Sequence, residues 1–338
     1  MNRRRTACCY LAAPLVTGLF LLPVFWRWGL YPLGDNTLAW CDMRQQVVPL
    51  WMQLKDILSG EVSPFYSFRA AGGMNLWGVL FFFVASPLSL LVGLWDKEEL
   101  LVFANLITVL KMMLCSLSAL CYFRRRHPRL DETCGVLLAV CYAMSGYAMM
   151  YYQNSIWLDV MALFPLLYLS MERLQQPGGG SGYSLLLALT IVVNYYISYA
   201  VLLFLLFAAA VNCLVRLEPS ARGKFALRLG GRTAFGLGLA APVWLPSLLE
   251  VMASARTDNV FDSVAGGAML TNFFTTLPLF YCTAVLFAAL PSAVKRAFWP
   301  LRRLPDAPGD QRLRADLLLF VLMMLPVMLD PINKLWHT

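Results

Sequence analysis

The chain has 338 residues, of which 59% are hydrophobic and only 14% are charged, whereas about a quarter of the residues in an ordinary soluble domain are charged. This balance excludes a soluble globular protein and indicates an integral membrane protein. The formal net charge of +8 does not indicate a nucleic-acid partner, because the Lys and Arg residues lie in short clusters between apolar runs, which is typical of cytoplasmic loops.

The apolar runs predict an all-α, polytopic transmembrane bundle, since about 20 apolar residues in a helix cross a bilayer core. Arginines at positions 3 to 5 precede the first run and predict a cytoplasmic N-terminus followed by a retained signal anchor. We expect one transmembrane domain of a multi-pass cell-membrane protein. The nine predicted spans are 7–25, 100–123, 134–151, 156–171, 183–196, 199–215, 233–251, 272–294 and 315–329.

Residues 76–95 form another apolar run. Counting it as a span would put the later loops on the wrong sides of the membrane. If this run crossed the membrane, the following span would leave the basic cluster RRRHPR at 124–129 outside. A re-entrant or interfacial hairpin, broken at Ser86-Pro87, returns that cluster to the cytoplasm. We therefore predict a hairpin at 76–95.

Residues 34–75 are predicted to form a large extracytoplasmic loop. The loop contains Asp35 and Asp42, and then an amphipathic segment from Val47 to Leu58 that fits a helix lying on the membrane surface. Asp42 has apolar neighbours on both sides in the sequence. Loss of solvation makes a lone charge among such neighbours unfavourable, so a charge found there is expected to be paired or functional. Asp42 is therefore the candidate catalytic residue.

The predicted topology collects polar side chains on the outer side of the membrane. A carboxylate beside a cation suits an enzyme that deprotonates a hydroxyl while a phosphate leaving group is neutralised. Two or three carboxylates could instead hold a divalent cation. Polarity of an outer loop also follows from contact with water, so a structural explanation stays open for each residue. The candidate residues are Asp35, Asp42, Arg44, Gln46, Asn154, Asp159, Asn194, Tyr195 and Arg256.

Two further charged residues lie within or at the start of predicted spans. Asp159 begins the span 156–171, where it either caps the helix or binds substrate. Lys111 lies in the middle of the span 100–123, and an ionisable residue inside the membrane predicts a function. Lys111 either binds a lipid phosphate or pairs with a carboxylate of another helix. Tyrosines such as Tyr195 are typical of an interfacial aromatic belt, and stacking on a sugar is the alternative.

Six segments stand in a distinctive order along the chain. They are CDMRQQVVPLWMQLKDILSGEVSPFYSF, AAGGMNLWGVLFFFVASPLSLL, SGYAMMYYQNSIWLDVMALFPLLYLSMERL, NYYISYAVLLFLLF, LAAPVWLPSLLEVMASAR and LDPINKLWH. In this order, and over essentially the whole chain, they resemble the YfhO family of bacterial polytopic membrane proteins. Members of the family continue well past the last segment, so we expect this chain to be an N-terminal portion.

The resemblance implies a GT-C-type glycosyltransferase. Such enzymes take a sugar from a polyprenyl-phosphate carrier on the outer leaflet and use an acid of the first external loop, here for transfer to a cell-envelope polymer. Asp42 matches the loop acid and Gln46 its companion, Asn154 and Asp159 match the polar turn, and Arg256 matches the basic residue after Leu-Pro-Ser. An inverting displacement is implied, in which Asp42 acts as general base and Arg256, with Lys111, neutralises the lipid phosphate.

Two other classes of function remain open from the sequence. In a transporter or lipid flippase, Lys111 and the helix break at 194–199 would form the translocation site. A non-enzymatic scaffold of envelope assembly is the second. The sequence shows no internal repeat, which favours the enzyme over the transporter.

Overall fold

The computed structural model describes residues 3–69, 72–176, 178–252, 291–294 and 308–328. Within these residues, six helices are long and apolar enough to cross a membrane. The protein is therefore an all-α, multi-pass membrane protein, as predicted. The six helical segments are Tyr10–Trp28, Lys97–Arg126, Glu132–Tyr151, Ser155–Arg173, Tyr195–Arg216 and Pro219–Met252.

The described chain is helical apart from loops and one short hairpin, in which Tyr66 of β1 pairs with Asn75 of β2. The elements before residue 130 are α1 (Arg3–Trp28), a π-helix (Met43–Val47), α2 (Val48–Leu58), β1 (Tyr66–Ser67), β2 (Met74–Asn75), α3 (Trp77–Phe83), two 3-10 helices (Pro87–Leu94 and Lys97–Glu99) and α4 (Leu100–Arg126). The later elements are α5 (Glu132–Ala143), α6 (Gly146–Tyr151), α7 (Ser155–Arg173), α8 (Tyr183–Val193), α9 (Tyr195–Arg216), α10 (Pro219–Met252) and α11 (Pro308–Met328).

Helix α4 is the central element, since it packs against α1, α5 and α7. Its 27 residues extend about 40 Å at 1.5 Å per residue. Its N-terminal end lies beside the loop that carries Asp42, and we call this the Asp42 end of the bundle. Its C-terminal end carries Arg126, and we call this the Arg126 end. Helix α4 stops there because Pro128 disfavours helical backbone in the residue before it, and the Asp131 carboxylate then caps α5.

The segment predicted as a hairpin is broken, and its two helical pieces are α3 and the 3-10 helix Pro87–Leu94, which meet at 95°. Pro87 prevents continuation of α3, and the Ser86 hydroxyl accepts a hydrogen bond from Leu88 N at the start of the second piece. A broken span and a re-entrant loop both have this geometry. The hairpin at 76–95 stays a prediction.

A second break separates α8 from α9 at Asn194. Helix α8 has only 11 residues, about 16 Å, and is shorter than the bilayer core. It ends at Val193, three residues before the end of the predicted span 183–196, because the Asn194 side chain caps α9 by accepting from Ile197 N at 2.7 Å.

Helix α10 begins earlier than the predicted span 233–251. It has 34 residues and starts at Pro219, so the basic stretch after that residue is helical rather than a loop. Proline at the first helical position has a backbone angle that suits a helix start. Gly236 lets α10 approach α8 closely, because a Cβ there would lie 3.0 Å from Ser184 O.

Some predicted features lie outside the described residues. Of the predicted span 272–294, only residues 291–294 are described, and Arg256 is outside the described ranges. Helix α11 begins seven residues before the predicted span 315–329 and is described as far as Met328.

Candidate functional site

The backbone around Asp42 has an unusual conformation on both sides of the carboxylate. Cys41 has φ of 43°, in the left-handed region that costs a side-chain-bearing residue about 1 to 2 kcal/mol. A π-helix, Met43–Val47, follows directly, and π-helical turns are rare and frequent at functional sites. Such strain persists only where surrounding contacts hold it. The chain is therefore bent at the point where it presents Asp42, which is half-buried.

Both oxygens of Asp42 accept hydrogen bonds from neutral amides. Gln46 Nε2 donates to Oδ1 at 3.1 Å, and Asn154 Nδ2 donates to Oδ2 at 3.3 Å. Gln46 lies one helical turn after Asp42, whereas Asn154 comes from the turn before α7. The structure thus brings together three of the residues singled out from the sequence. Among the described residues, no Lys or Arg forms a salt bridge with Asp42.

The Asp42 loop and the turn before α7 are joined by further hydrogen bonds, which we call the loop–turn clamp. Trp40 N donates to Gln153 Oε1 at 3.1 Å, and Gln153 Nε2 donates to Leu38 O at 3.3 Å. The Trp40 indole N–H also donates to the Tyr152 hydroxyl at 3.1 Å. Gln153 was not among the residues predicted from the sequence, although its position beside Asn154 was a signal.

Asn105 of α4 holds the beginning of the same loop. Its Nδ2 donates to Asn36 O at 2.9 Å and to Tyr31 O at 3.2 Å, and its Oδ1 accepts from Leu38 N at 2.8 Å. Asn105 is fully buried, and a buried amide needs such partners. Asn105 was not among the predicted residues either, although a lone amide in an apolar helix was a signal.

A family model described as bacterial membrane protein YfhO matches residues 14–338. The chain belongs to the YfhO family. The matched residues include the Asp42 loop, α4 and the turn before α7, so every part of the site lies within the YfhO region. No curated protein and no solved structure matches the chain.

Lys111 and Asp159 of this YfhO protein form an ion pair inside the bundle, with 2.6 Å between Nζ and Oδ2. The Lys111 ammonium also donates to Ser155 Oγ at 2.9 Å and to Ser155 O at 3.1 Å. The other oxygen of Asp159 accepts from Ser86 Oγ at 2.8 Å. Lys111 is only 1% exposed, and its ammonium has three oxygen atoms within 3.1 Å. The predicted contact of Lys111 with a lipid phosphate does not fit this geometry, whereas the alternative, a pair with a carboxylate, does.

The other predicted site residues lie apart from the Asp42 carboxylate. Asp35 is exposed on the turn after α1, and Arg44 is exposed on the π-helix, two residues beyond Asp42. Asn194 is buried and donates to Phe82 O at 2.7 Å, so its amide joins the two helix breaks. The Tyr195 ring is half-buried, with its centroid 6.2 Å from that of Phe82.

The divalent-cation alternative requires several ligands at one place. Within the residues that the structure describes, no group of three or more His, Cys, Asp or Glu side chains could hold a metal ion. Asp42 accepts hydrogen bonds from two amides, and Asp159 is paired with Lys111. The Asp42 site of the YfhO protein is therefore an amide-held carboxylate.

Proposed function

We propose that this YfhO protein is a GT-C-type membrane glycosyltransferase, which moves a sugar from a polyprenyl-phosphate donor to a cell-envelope polymer on the extracytoplasmic side. The observation that carries the proposal is the half-buried Asp42 carboxylate, held by Gln46 and Asn154. A general base must be oriented, and its oxygen must be reachable by the proton that it takes. Neutral amides orient the carboxylate and leave its charge in place, whereas an Arg or Lys partner would neutralise it.

In the proposed reaction, Asp42 accepts the proton of an acceptor hydroxyl while that oxygen attacks the anomeric carbon of the donor sugar. The bond from the anomeric carbon to the phosphate oxygen breaks, and the lipid phosphate leaves with the bonding electron pair. Attack from the face opposite the phosphate inverts the configuration at the anomeric carbon. One carboxylate in a fixed position is enough for this single displacement.

The leaving phosphate needs positive charge nearby. We assign this role to Arg256, which lies outside the described residues, and to Arg44, which is exposed two residues beyond Asp42. Lys111 has no place in this step, because its ammonium is already bound to Asp159 and Ser155.

The test compares Asp42→Asn with Glu61→Gln, which changes an exposed carboxylate of the same loop. Cells that express each variant are pulse-labelled with radioactive hexoses, and label in envelope polymers is measured per unit of membrane-inserted protein. Loss of a general base lowers a rate by about 10²- to 10⁴-fold, so we expect Asp42→Asn to lose polymer label at unchanged abundance and Glu61→Gln to keep it. Full labelling by Asp42→Asn would remove the proposal.

One observation favours a transporter or flippase as the second candidate. The break of α3 from the helix that follows and the break of α8 from α9 are joined by the Asn194 amide at Phe82 O, and paired broken helices are typical of transporter binding sites. Vesicles that contain the purified protein and a labelled polyprenyl-phosphate hexose separate the two functions. An enzyme labels an acceptor supplied on the donor's own side, whereas a transporter moves the donor across and labels no acceptor.

A further inference from the structure

The ion pair between Lys111 and Asp159 lies in the interior of the bundle, where isolated charges are strongly disfavoured. Replacement of such a pair by apolar side chains is often neutral or stabilising. Stability alone therefore does not account for a lysine that is 1% exposed in the middle of α4. The contacts of this lysine suggest what else it does.

The partners of Lys111 place it at the first residue of α7. Its ammonium binds both the hydroxyl and the carbonyl oxygen of Ser155, and Ser155 directly follows Asn154. An ammonium that bridges α4 to the first turn of α7 fixes where that turn begins. It therefore also fixes the position of Asn154.

Asn154 itself is in an N-cap position, where an asparagine side chain usually accepts a hydrogen bond from the first turn of its helix. The Asn154 side chain makes no such bond and instead donates to Asp42 at 3.3 Å. The start of α7 thus lacks its ordinary cap while Asn154 is used for the site. The contacts of Lys111 with Ser155 hold the turn in its place.

Asp159 completes the arrangement one turn further along α7. One of its oxygens binds Lys111, and the other accepts from Ser86 at the break after α3. The pair therefore connects α4, α7 and Ser86 to one another in the interior of the bundle. The two charges are paired within the protein, and both side chains have little exposure.

We infer that Lys111 and Asp159 are positioning residues, which hold Asn154 in place to orient the Asp42 carboxylate. The inference rests on the proposed function, because the orientation matters only if Asp42 acts as the base. It differs from direct binding of the lipid phosphate by Lys111, and it differs from a purely structural ion pair. Each alternative predicts a different result when Lys111 is changed.

The first experiment is a double-mutant cycle on the rate of sugar transfer in vesicles, with the polyprenyl-phosphate hexose as the varied substrate. The variants are Lys111→Met, Asn154→Ala and the double variant, and the control is Ser116→Ala, which removes a hydroxyl that bonds its own helix α4. We expect Lys111→Met to lower kcat about 10- to 100-fold, the loss expected for one hydrogen bond to a charged group, with KM changed less than twofold.

We further expect the double variant to be no slower than the slower single variant, since residues that act through one contact are not additive. The control should retain wild-type rates. A large rise of KM in Lys111→Met, or rate losses that multiply in the double variant, would overturn the inference, because the lysine would then act on the substrate directly.

In Lys111→Met alone, Asp159 is left as an unpaired buried charge, which should lower the Tm. A second variant removes this charge as well. In Lys111→Met/Asp159→Leu both charges are gone, so the Tm should return to near the wild-type value. We expect kcat to stay low, because the contacts with Ser155 are still lost. Recovery of kcat together with the Tm would show that the pair is only structural, and the inference would be wrong.

Hydrogen exchange at the amides of residues 155–158 provides a readout that needs no sugar transfer. We expect at least tenfold faster exchange of these amides in both Lys111 variants and wild-type exchange in Ser116→Ala. Unchanged exchange in the Lys111 variants would overturn the inference even if Asp42→Asn is inactive. If Asp42→Asn is fully active instead, the proposed function fails separately, and the exchange result still decides whether Lys111 holds the turn.

Discussion

Asn154 Nδ2 lies 3.3 Å from Asp42 Oδ2, although 112 residues separate the two in the chain. The Asp42 loop and the turn before α7 therefore form one site. Gln46 completes the contact from the loop's own π-helix.

Loss of either amide should slow sugar transfer without loss of the protein. We expect Asn154→Ala and Gln46→Ala each to lower kcat about 10- to 100-fold, because each removes a hydrogen bond to a charged acceptor. Asn154→Asp should be slower still, since it places a like charge beside Asp42. The matched control is Gln45→Ala, an exposed glutamine of the same π-helix, which should retain the wild-type rate. Equal rates for the Gln45 and Gln46 variants would contradict this account.

The conformation of Cys41 predicts an unusual substitution pattern. With φ of 43°, Cys41→Gly should be tolerated, whereas Cys41→Val should destabilise the site by about 1 to 3 kcal/mol, because a β-branched residue is strongly disfavoured there. The measurements are Tm in detergent and the rate of transfer. Cys134→Val, at an exposed position of helix α5, is the control and should be close to neutral. A Val variant at position 41 with normal Tm and rate would show that the strain is absent.

The loop also contains an ion-pair cluster that should make its stability pH-dependent. The Asp56 carboxylate is bound by Lys97 and, at 2.6 Å, by Arg69. The hydrogen bond from Lys97, followed by that from Arg69, lowers the pKa of Asp56 in the folded protein. A lowered folded-state pKa gives stability that is fully present above the unfolded value of about 3.9 and is lost as the pH falls through the folded value.

Thermal unfolding of Asp56→Asn should show this dependence. We expect the variant to be less stable than the wild type by about 1 kcal/mol at pH 6, since Arg69 and Lys97 are partly exposed and screened by solvent. The difference should shrink as the pH falls below 4. Glu61→Gln, an exposed carboxylate, should show no such trend. A difference that stays constant between pH 6 and pH 3 would contradict the role of the charged carboxylate.

Glu172 at the Arg126 end should matter for stability alone. Its Oε1 lies 3.2 Å from Arg126 Nη2 and 2.9 Å from Arg216 Nη1, and both arginines have little exposure. Glu172→Gln should therefore lower the free energy of unfolding by about 3 kcal/mol, because it leaves buried cations without their shared partner. Transfer per folded molecule should be unchanged, since this cluster lies at the opposite end of α4 from Asp42. Arg173→Gln, an exposed neighbour, is the control.

The sequence predicts the helical bundle well, because an apolar run of about 20 residues must form a helix in a bilayer to satisfy its backbone hydrogen bonds. It also indicates the contact of Asp42 with Gln46, since residues four apart on a helical turn are neighbours. The start of α10 differs from the prediction because the basic residues after Pro219 are good helix formers. Charge alone indicated a loop there.

The rest of the site could not be predicted from spacing. Asn105 and Gln153 bind main-chain atoms of the Asp42 loop that are 67 to 115 residues away in the chain, and no local pattern indicates such partners. The sequence left two interpretations of Lys111 open, because its carboxylate partner lies on another helix. Only the fold shows that the partner is Asp159 and that Ser155 is bound as well.

The central claim is that the Asp42 loop faces the outside of the cell, and the native thiol of Cys41 tests it directly, since this exposed cysteine precedes Asp42. Two variants keep a single cysteine each, either Cys41 or the exposed Cys134 near the Arg126 end. A membrane-impermeant maleimide is added to intact and to permeabilised cells. We predict that Cys41 is labelled in intact cells and that Cys134 is labelled only after permeabilisation. Labelling of Cys41 only after permeabilisation would contradict the account.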